Sequence, residues 1–351
     1  MTVPTLDIIV PVWNNPTAAR ACLASILDST DTARLIIINN GCDRTTERML
    51  EEFCDHLGDR VLYMTMERNI GFVPAANRAL RRSDADWALI IRSSATLSAA
   101  CLKQILATTT KDGAGIITPH CPVDAPLPPQ RLKIGCTGIE TCDISFSALA
   151  LARKMRDRIG LFDEELDGGP WCLRDYRHRA DAHGFKTCLL PTVTVTNEPV
   201  TLFGSLERRR KQEESATAIF RQRWGIQQQV AVYLPKETDE QKLTETLETL
   251  LAAARQGHRL ELFLHRRHYT FALQQGAACL HSGLTLHKLS PLSPLKSLAR
   301  GMERLKADNP QLTIVCGLDD IPFPGYDTAQ PSATLTHLAT PKEADHAAVY
   351  R

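Results

Sequence analysis

The residues with chemistry to offer lie where short apolar runs end. Ile8-Ile9-Val10 leads into Pro11, Val12, Trp13, Asn14 and Asn15, and residues 35–38 lead into Asn39, Asn40 and Gly41. Residues 87–91 lead into Arg92, Ser93 and Ser94. In an open α/β sheet such strand ends are where a ligand sits. No GxGxxG or Walker A sequence follows the first run, so a dinucleotide fingerprint and a P-loop are both excluded. Asp163, Glu164, Glu165, Asp167 and Asp175 are carboxylates that either move a proton or cap turns and face water. Asp319 and Asp320, adjacent at the end of a later apolar run, suit either a divalent cation (metal) or a capped loop. Three further features read as structural. Arg208-Arg209-Arg210-Lys211 is a solvated helix face, His265 and His268 lack the four-residue spacing of helical metal ligands, and Cys42 has no nearby His to activate it.

These positions need a scaffold, and the apolar pattern supplies one. Each run is too short for a helix and uniformly apolar, as in a strand buried on both faces of a parallel sheet. Ala18, Cys22, Ile26 and Leu27 recur at helical spacing after the cap residues at 14–17. A polar helix is expected at about 45–56. A strand at 61–64 follows, then a loop through Asn69-Ile70-Gly71 and a helix ending near residue 82. Strand and helix alternate, which predicts βαβ units in a doubly wound, Rossmann-like α/β sheet.

The chain has 351 residues, more than one core usually fills, so two domains are expected, at 1–227 and 228–351. Its 41 Lys and Arg against 40 Asp and Glu leave a net charge of +1. Electrostatic capture of nucleic acid is therefore excluded as its main task. The 11 cysteines, odd in number and without a CxxC pair, read as reduced, mostly buried thiols. With neither a signal-peptide pattern nor a spanning apolar run, a cytoplasmic location is expected.

A second βα series begins at residue 229. Strands are expected at 230–234, 259–264, 284–289 and 312–316, with helices at 239–255 and 294–307. Leu35 to Leu260 is 225 residues, Val61 to Leu284 is 223 and Trp87 to Leu312 is 225. Such a near-constant offset is what a truncated internal repeat would give, although any two βα series share element lengths. On this alignment Ser94 falls opposite Asp319. The tail beyond Gly325 reads as loosely ordered, and the proline-rich segment 119–129 as a surface loop.

Several segments together resemble the family 2 glycosyltransferases of the GT-A fold. They are Ile8-Ile9-Val10-Pro11-Val12-Trp13-Asn14-Asn15, Ile36-Ile37-Ile38-Asn39-Asn40-Gly41, and Asn69-Ile70-Gly71-Phe72 with Ala76-Asn77-Arg78-Ala79. Further on, Gly160-Leu161-Phe162-Asp163-Glu164, then Trp171, Asp175-Tyr176, Arg179 and Gly184-Phe185, and finally Phe220-Arg221-Gln222-Arg223-Trp224-Gly225 extend the likeness to about residues 5–226. The resemblance implies a nucleotide-sugar donor, a hydroxyl acceptor on a glycan, lipid or protein, and Mn or Mg as cofactor. It implies that Pro11, Val12, Asn14 and Asn39 hold the nucleoside and that Asn69, Gly71 and Asn77 shape the pocket. Arg92 and Ser94 would then face the diphosphate.

The chain departs from the family at three places. Arg92-Ser93-Ser94-Ala95-Thr96 occupies the site of the metal-binding DxD carboxylates, and Arg92 either replaces the metal's charge or simply ends a strand. Cys172 and Leu173 stand where the acceptor-side acidic pair belongs, which leaves Asp175 as the candidate catalytic acid nearest the acceptor. Asn39 stands where an Asp commonly reads the base. Two functions from different classes are therefore compatible with the residues. One is a transferase; the other is an inactive pseudo-glycosyltransferase that scaffolds an active partner glycosyltransferase or a homodimer. A nucleotidyltransferase is a third reading, weakened by the absence of a glycine-rich basic loop.

Overall fold

The computed structural model describes residues 4–124, 135–167, 170–198 and 205–341. The chain divides into two compact units: residues up to Gly138 with Asp143–Trp224, and Ile139–Cys142 with Gly225–Ala344.

In the first unit, β1 (Leu6–Val12), β2 (Arg34–Asn40), β3 (Val61–Met66) and β4 (Trp87–Ile91) pair in parallel. They alternate with α1 (Pro16–Leu27), α2 (Arg44–Asp55) and α3 (Phe72–Leu80). Ile8, Ile9, Val10, the 35–38 run and the 88–91 run are all fully buried, as strands covered by helices on both faces must be. Asn15 caps α1 by accepting the Ala18 N–H, and Asp43 caps α2 by accepting that of Thr46.

Beyond β4 lie a short strand β5 (Ala95–Thr96), α4 (Ala99–Thr108) and β6 (Ala114–His120). A two-residue strand, β7 (Ile139–Glu140), belongs to the second unit. Next come β8 (Ala148–Ala152), α5 (Arg153–Ile159), α6 (Trp171–Ala182), β9 (Lys186–Thr194), β10 (Thr196–Asn197) and α7 (Leu206–Trp224). Seven strands of this unit run in the order β3-β2-β1-β4-β8-β6-β9, with β8 antiparallel to both β4 and β6. The fold class is thus the expected one, a large, mostly parallel α/β sheet.

In the second unit β11 (Gln229–Leu234), β12 (Arg259–Leu264), β13 (Leu284–Lys288) and β14 (Thr313–Val315) run in the order β13-β12-β11-β14, all parallel. This is the pairing order of β3-β2-β1-β4. The helices are α8 (Glu240–Arg255), α9 (Arg266–Gln274), α10 (Pro294–Asp308) and α11 (Ala333–Ala339). α9 departs from expectation: His268, taken as a surface residue, is only 2% exposed on its inner face. The tail expected to be loose contains α11, whose Leu335 is fully buried and packs into the core with Leu338 and β11. Residues 125–129 of the proline-rich segment lie outside the described residues, while Pro119 and His120 are buried in β6.

Nine cysteines are free, five of them buried, but Cys136 and Cys279 are disulfide-bonded. Sequence spacing cannot reveal such bonding, because it depends on Cα proximity created by the fold.

Candidate active site

Parallel pairing brings the expected strand ends together. Val12 stands opposite Asn39 in register. Beyond them Asn14 and Asn15 take left-handed backbone, at φ 55 and 53, which Asn tolerates better than most residues. Asn14 Oδ1 accepts the Asp43 N–H at 2.7 Å, and its own N–H donates to Cys42 Sγ at 3.3 Å. Cys42 in turn donates to the Val12 carbonyl at 3.3 Å. Burial raises the thiol's pKa, so Cys42 is a clasp between two strand ends, not a nucleophile.

Several residues expected to touch a ligand are engaged in building the pocket. Pro11 and Val12 are buried within the sheet. Asn39 is 1% exposed; its Oδ1 accepts the Cys42 N–H at 2.9 Å and its Nδ2 donates to Glu47 Oε1 at 3.2 Å. Asn40 grips the next loop, donating to Asn69 Oδ1 and the Gly71 carbonyl, both at 3.1 Å, and accepting from the Ile70 N–H. Asn77, also 1% exposed, accepts the Phe162 N–H and donates to the Phe162 carbonyl and Glu164 Oε1, both at 2.9 Å. A buried amide with its hydrogen-bonding capacity so used holds loops in place. Asn77 therefore fixes the acidic 162–165 loop against α3. Asn14 and Gly71 stay partly exposed and Asn69 exposed at these strand ends.

At the end of β4, Arg92 is anchored by donating its backbone N–H to the Phe146 carbonyl at 3.1 Å. Its side chain is 28% exposed, lies over the Phe72 ring at 5.8 Å from the centroid, and stands 3.9 Å from Asp124 Oδ2. That carboxylate accepts from Ser145 and from Ser147 Oγ. Asn197 Nδ2 donates to Ser147 Oγ at 2.9 Å, and Ser94 Oγ donates to Asn197 Oδ1 at 2.6 Å. Three loops and β10 thus converge on the place where a metal-binding pair was expected. Asp124, Ser145, Ser147 and Asn197 carry no local sequence signal, being scattered over more than 70 positions.

This set does not fit a divalent cation. It offers one carboxylate, facing an arginine, and the serine hydroxyls and the Asn197 amide are tied to each other. Among the described residues no three His, Cys, Asp or Glu side chains come together as a metal site would require. Asp319 and Asp320 do not supply one. Asp319 pairs with Lys242 Nζ at 2.9 Å, and Asp320 Oδ1 accepts the Ser332 N–H at 2.8 Å, which lowers its pKa. Both have left-handed backbone, φ 58 and 55, so they form a turn whose carboxylates are already occupied.

Asp175 is fully buried. Its carboxylate takes Arg179 Nε at 2.8 Å, Trp224 Nε1 at 2.9 Å and Arg223 at 3.4 Å. Arg179 also donates to the Ile159 and Leu161 carbonyls, and Arg223 reaches Asp163 at 2.6 Å. The geometry therefore makes Asp175 the centre of a packed ionic cluster joining α6 to α7. Cys172 and Leu173 are likewise buried, at 1% and 7% exposure.

Asp167 differs from the other carboxylates. It accepts the Val73 backbone N–H at the start of α3, and its Oδ2 would lie 3.0 Å from a Cβ placed on Gly71. Burial raises its pKa from 3.8 to about 6, with the nearby Glu164 adding to the rise. It is thus a carboxylate beside the Asn69–Gly71 loop whose pKa is pushed up to about 6.

Residues 7–131 match the family model described as glycosyl transferase family 2. Among solved structures the chain is similar to GalNAc-T7 crystallised with UDP, GalNAc and Mn2+, at 13% identity and a TM-score of 0.51, over 64% of this chain and 50% of that one. It is also similar to the mannosyltransferase PcManGT of Pyrobaculum calidifontis in complex with GDP-Man and Mn2+, at 15% identity and a TM-score of 0.50, over 88% and 82%. TarS of S. aureus gives 12% identity and a TM-score of 0.50, over 70% and 43%. The chain thus spans half the length of GalNAc-T7 and less than half of TarS. At these identities the likeness is one of fold, the GT-A fold. No curated protein matches in sequence.

Proposed function

We propose, from a segment that matches glycosyl transferase family 2 and lies in a GT-A fold, that this chain transfers a glycosyl group from a nucleotide-sugar to a hydroxyl of a glycan, lipid or protein. The observation that carries the reading is the Arg92 centre. Diphosphate departure builds negative charge at the end of β4, and Arg92 is the cation placed there by Phe72 and Asp124. A guanidinium forks onto phosphate oxygens, and a 3.9 Å ion pair to Asp124 is loose enough to give way to a diphosphate. Asn14 and Asn69 face the nucleoside. Asp167 is the general base: with a pKa of about 6 it is largely ionised at neutral pH and still basic enough to receive the hydroxyl proton. No step is routed through Mn or Mg, because the donor set does not fit one.

The test is calorimetric titration with UDP, GDP and dTDP, each with EDTA and with Mn²⁺. Binding of at least one nucleotide should be unchanged by EDTA and about tenfold or more weaker in Arg92→Ala, the loss of one charge-assisted pair. Binding that requires Mn²⁺, or that Arg92→Ala leaves intact, would overturn the assignment.

One observation favours a second reading. Cys172 and Leu173 fill the acidic-pair positions with buried apolar side chains, as a nucleotide-binding scaffold without turnover would tolerate. Donor binding with no transfer or hydrolysis in either wild type or Asp167→Asn would select it. A cytoplasmic location, a homodimer and a partner transferase stay with these proposals; among the described residues no helix is long and apolar enough to cross a membrane.

A further inference from the structure

The second unit has a crevice of its own at the carboxyl ends of its strands. A cavity of about 760 Å³ opens there, bounded by Lys236 just beyond β11, by the Arg266, Arg267 and Phe271 side of α9, and by Pro291 and Pro294 before and at the start of α10. Arg267 is paired with Glu240 at 3.2 Å. Lys236 and Arg266 have no acidic partner among the described residues, which leaves two uncompensated positive charges in the lining. α9 and α10 both begin without a side-chain cap and without an acidic residue in the first turn, so backbone N–H groups of two helix starts add to the positive field. Where α2 and α8 begin, Asp43 and Asp239 take up those groups.

Part of the lining is apolar. Phe271, Pro291 and Pro294 form it, and Leu292 and Leu295 next to it are 97% and 59% exposed, the former the most exposed large hydrophobic side chain among the described residues. The volume is far more than a lone phosphate fills and lies within the roughly 300–1,000 Å³ of organic-ligand sites. Two free cations match a group with two adjacent phosphates better than a single carboxylate, since each phosphate can take its own charge-assisted bonds.

We infer that this cavity binds an organic diphosphate, with the charged head between Lys236 and Arg266 and the apolar body against Phe271, Pro291 and Pro294. The body comes from one of two sources, a nucleoside or an isoprenoid chain. The inference is independent of the donor site in the first unit and survives the failure of that reading.

The experiment titrates the full chain calorimetrically with UDP, geranyl diphosphate and inorganic pyrophosphate. Every protein carries Arg92→Ala, so that the donor site contributes as little as it can. At least one organic diphosphate should bind, and adding Lys236→Ala with Arg266→Ala should weaken it tenfold or more. Adding Phe271→Ala should weaken the organic ligand severalfold and leave pyrophosphate unchanged. Binding of UDP alone assigns the nucleoside source, and of geranyl diphosphate alone the isoprenoid. Both cationic side chains are exposed, so their loss does not unfold the chain, and circular dichroism checks this. The inference is overturned if neither organic diphosphate binds, if the Lys236 and Arg266 substitutions change nothing, or if Phe271→Ala has the same effect on pyrophosphate as on the organic ligands.

Discussion

Asp167 and Asp175 are eight positions apart in the chain and opposite in character. Asp175 is held by three donors inside the protein, and truncating one partner of a buried ionic cluster leaves charges without solvation. Asp175→Ala should lower unfolding free energy by about 3–5 kcal/mol in denaturant titration. Activity should then fall with the folded fraction, without a change in the pH profile. Asp167 carries the reverse signature. Its folded pKa of about 6 lies above the 3.8 of a free carboxyl, so the folded state binds that proton more tightly than the unfolded chain. Its contribution is fully present below the unfolded pKa and is lost as pH rises through about 6, by on the order of 1–3 kcal/mol. Asp167→Asn, which does not titrate, should therefore be more stable than wild type at pH 8 and equal to it near pH 3. The same variant should lose transfer activity by about 100-fold or more, the usual scale of a general base, and with it the rise of rate through pH 6. An activity unchanged by the substitution removes Asp167 from the chemistry.

At the scale of elements, the pocket depends on how closely loops approach strand ends. Gly41 ends β2 at φ 70, and a Cβ there would lie 2.3 Å from the Arg68 carbonyl carbon and 2.4 Å from the Asn69 nitrogen. Neither backbone atom can move aside like a flexible side chain. Gly41→Ala should therefore cost 2 kcal/mol or more from strain and displacement together, roughly, and should push the Asn69–Gly71 loop away from Asn40. A drop in the melting temperature together with weaker nucleotide binding would show both effects; an unchanged melting temperature would mean that the close approach is absent. The antiparallel insertion of β8 between β4 and β6 is the other element-scale device. It brings Phe146 and Ser147 to Arg92, so the β4 centre depends on a strand that joins the parallel series from later in the chain.

At the scale of the molecule, the second unit is assembled from two stretches of chain. Glu140 accepts two bonds from Arg255, at 2.7 and 2.9 Å, and Glu140 and Leu280 as well as Ser282 and Glu140 are linked through their backbones. Thr141 and Ser282 hydroxyls meet at 2.7 Å. Arg255→Ala should lower the stability of this unit by about 1 kcal/mol, because the bidentate pair is partly exposed. Hydrogen exchange at β11 and β12 would read this, and no change there would show that the Glu140–Arg255 pair contributes nothing to that unit.

The sequence alone determined the strand cores and their ends, because a fully buried parallel strand must be an unbroken apolar run and its ligand-facing end must turn polar. The 8–10, 35–38 and 87–91 runs, and their counterparts near 230, 260, 284 and 313, were legible for that reason. α9 was not, since its short, mixed sequence buries only His268 and Ala272, too little to give a periodic signal. The roles of the polar residues were decided only by tertiary structure. Asn39, Asn77 and Asp175 have the right chemistry for a ligand, yet each is surrounded by protein donors and acceptors that arrive from distant positions. Asp319 and Asp320 are diverted in the same way by Lys242 and Ser332. The Arg92 centre and the titration of Asp167 are set by neighbours and by burial, and neither is a property of local sequence.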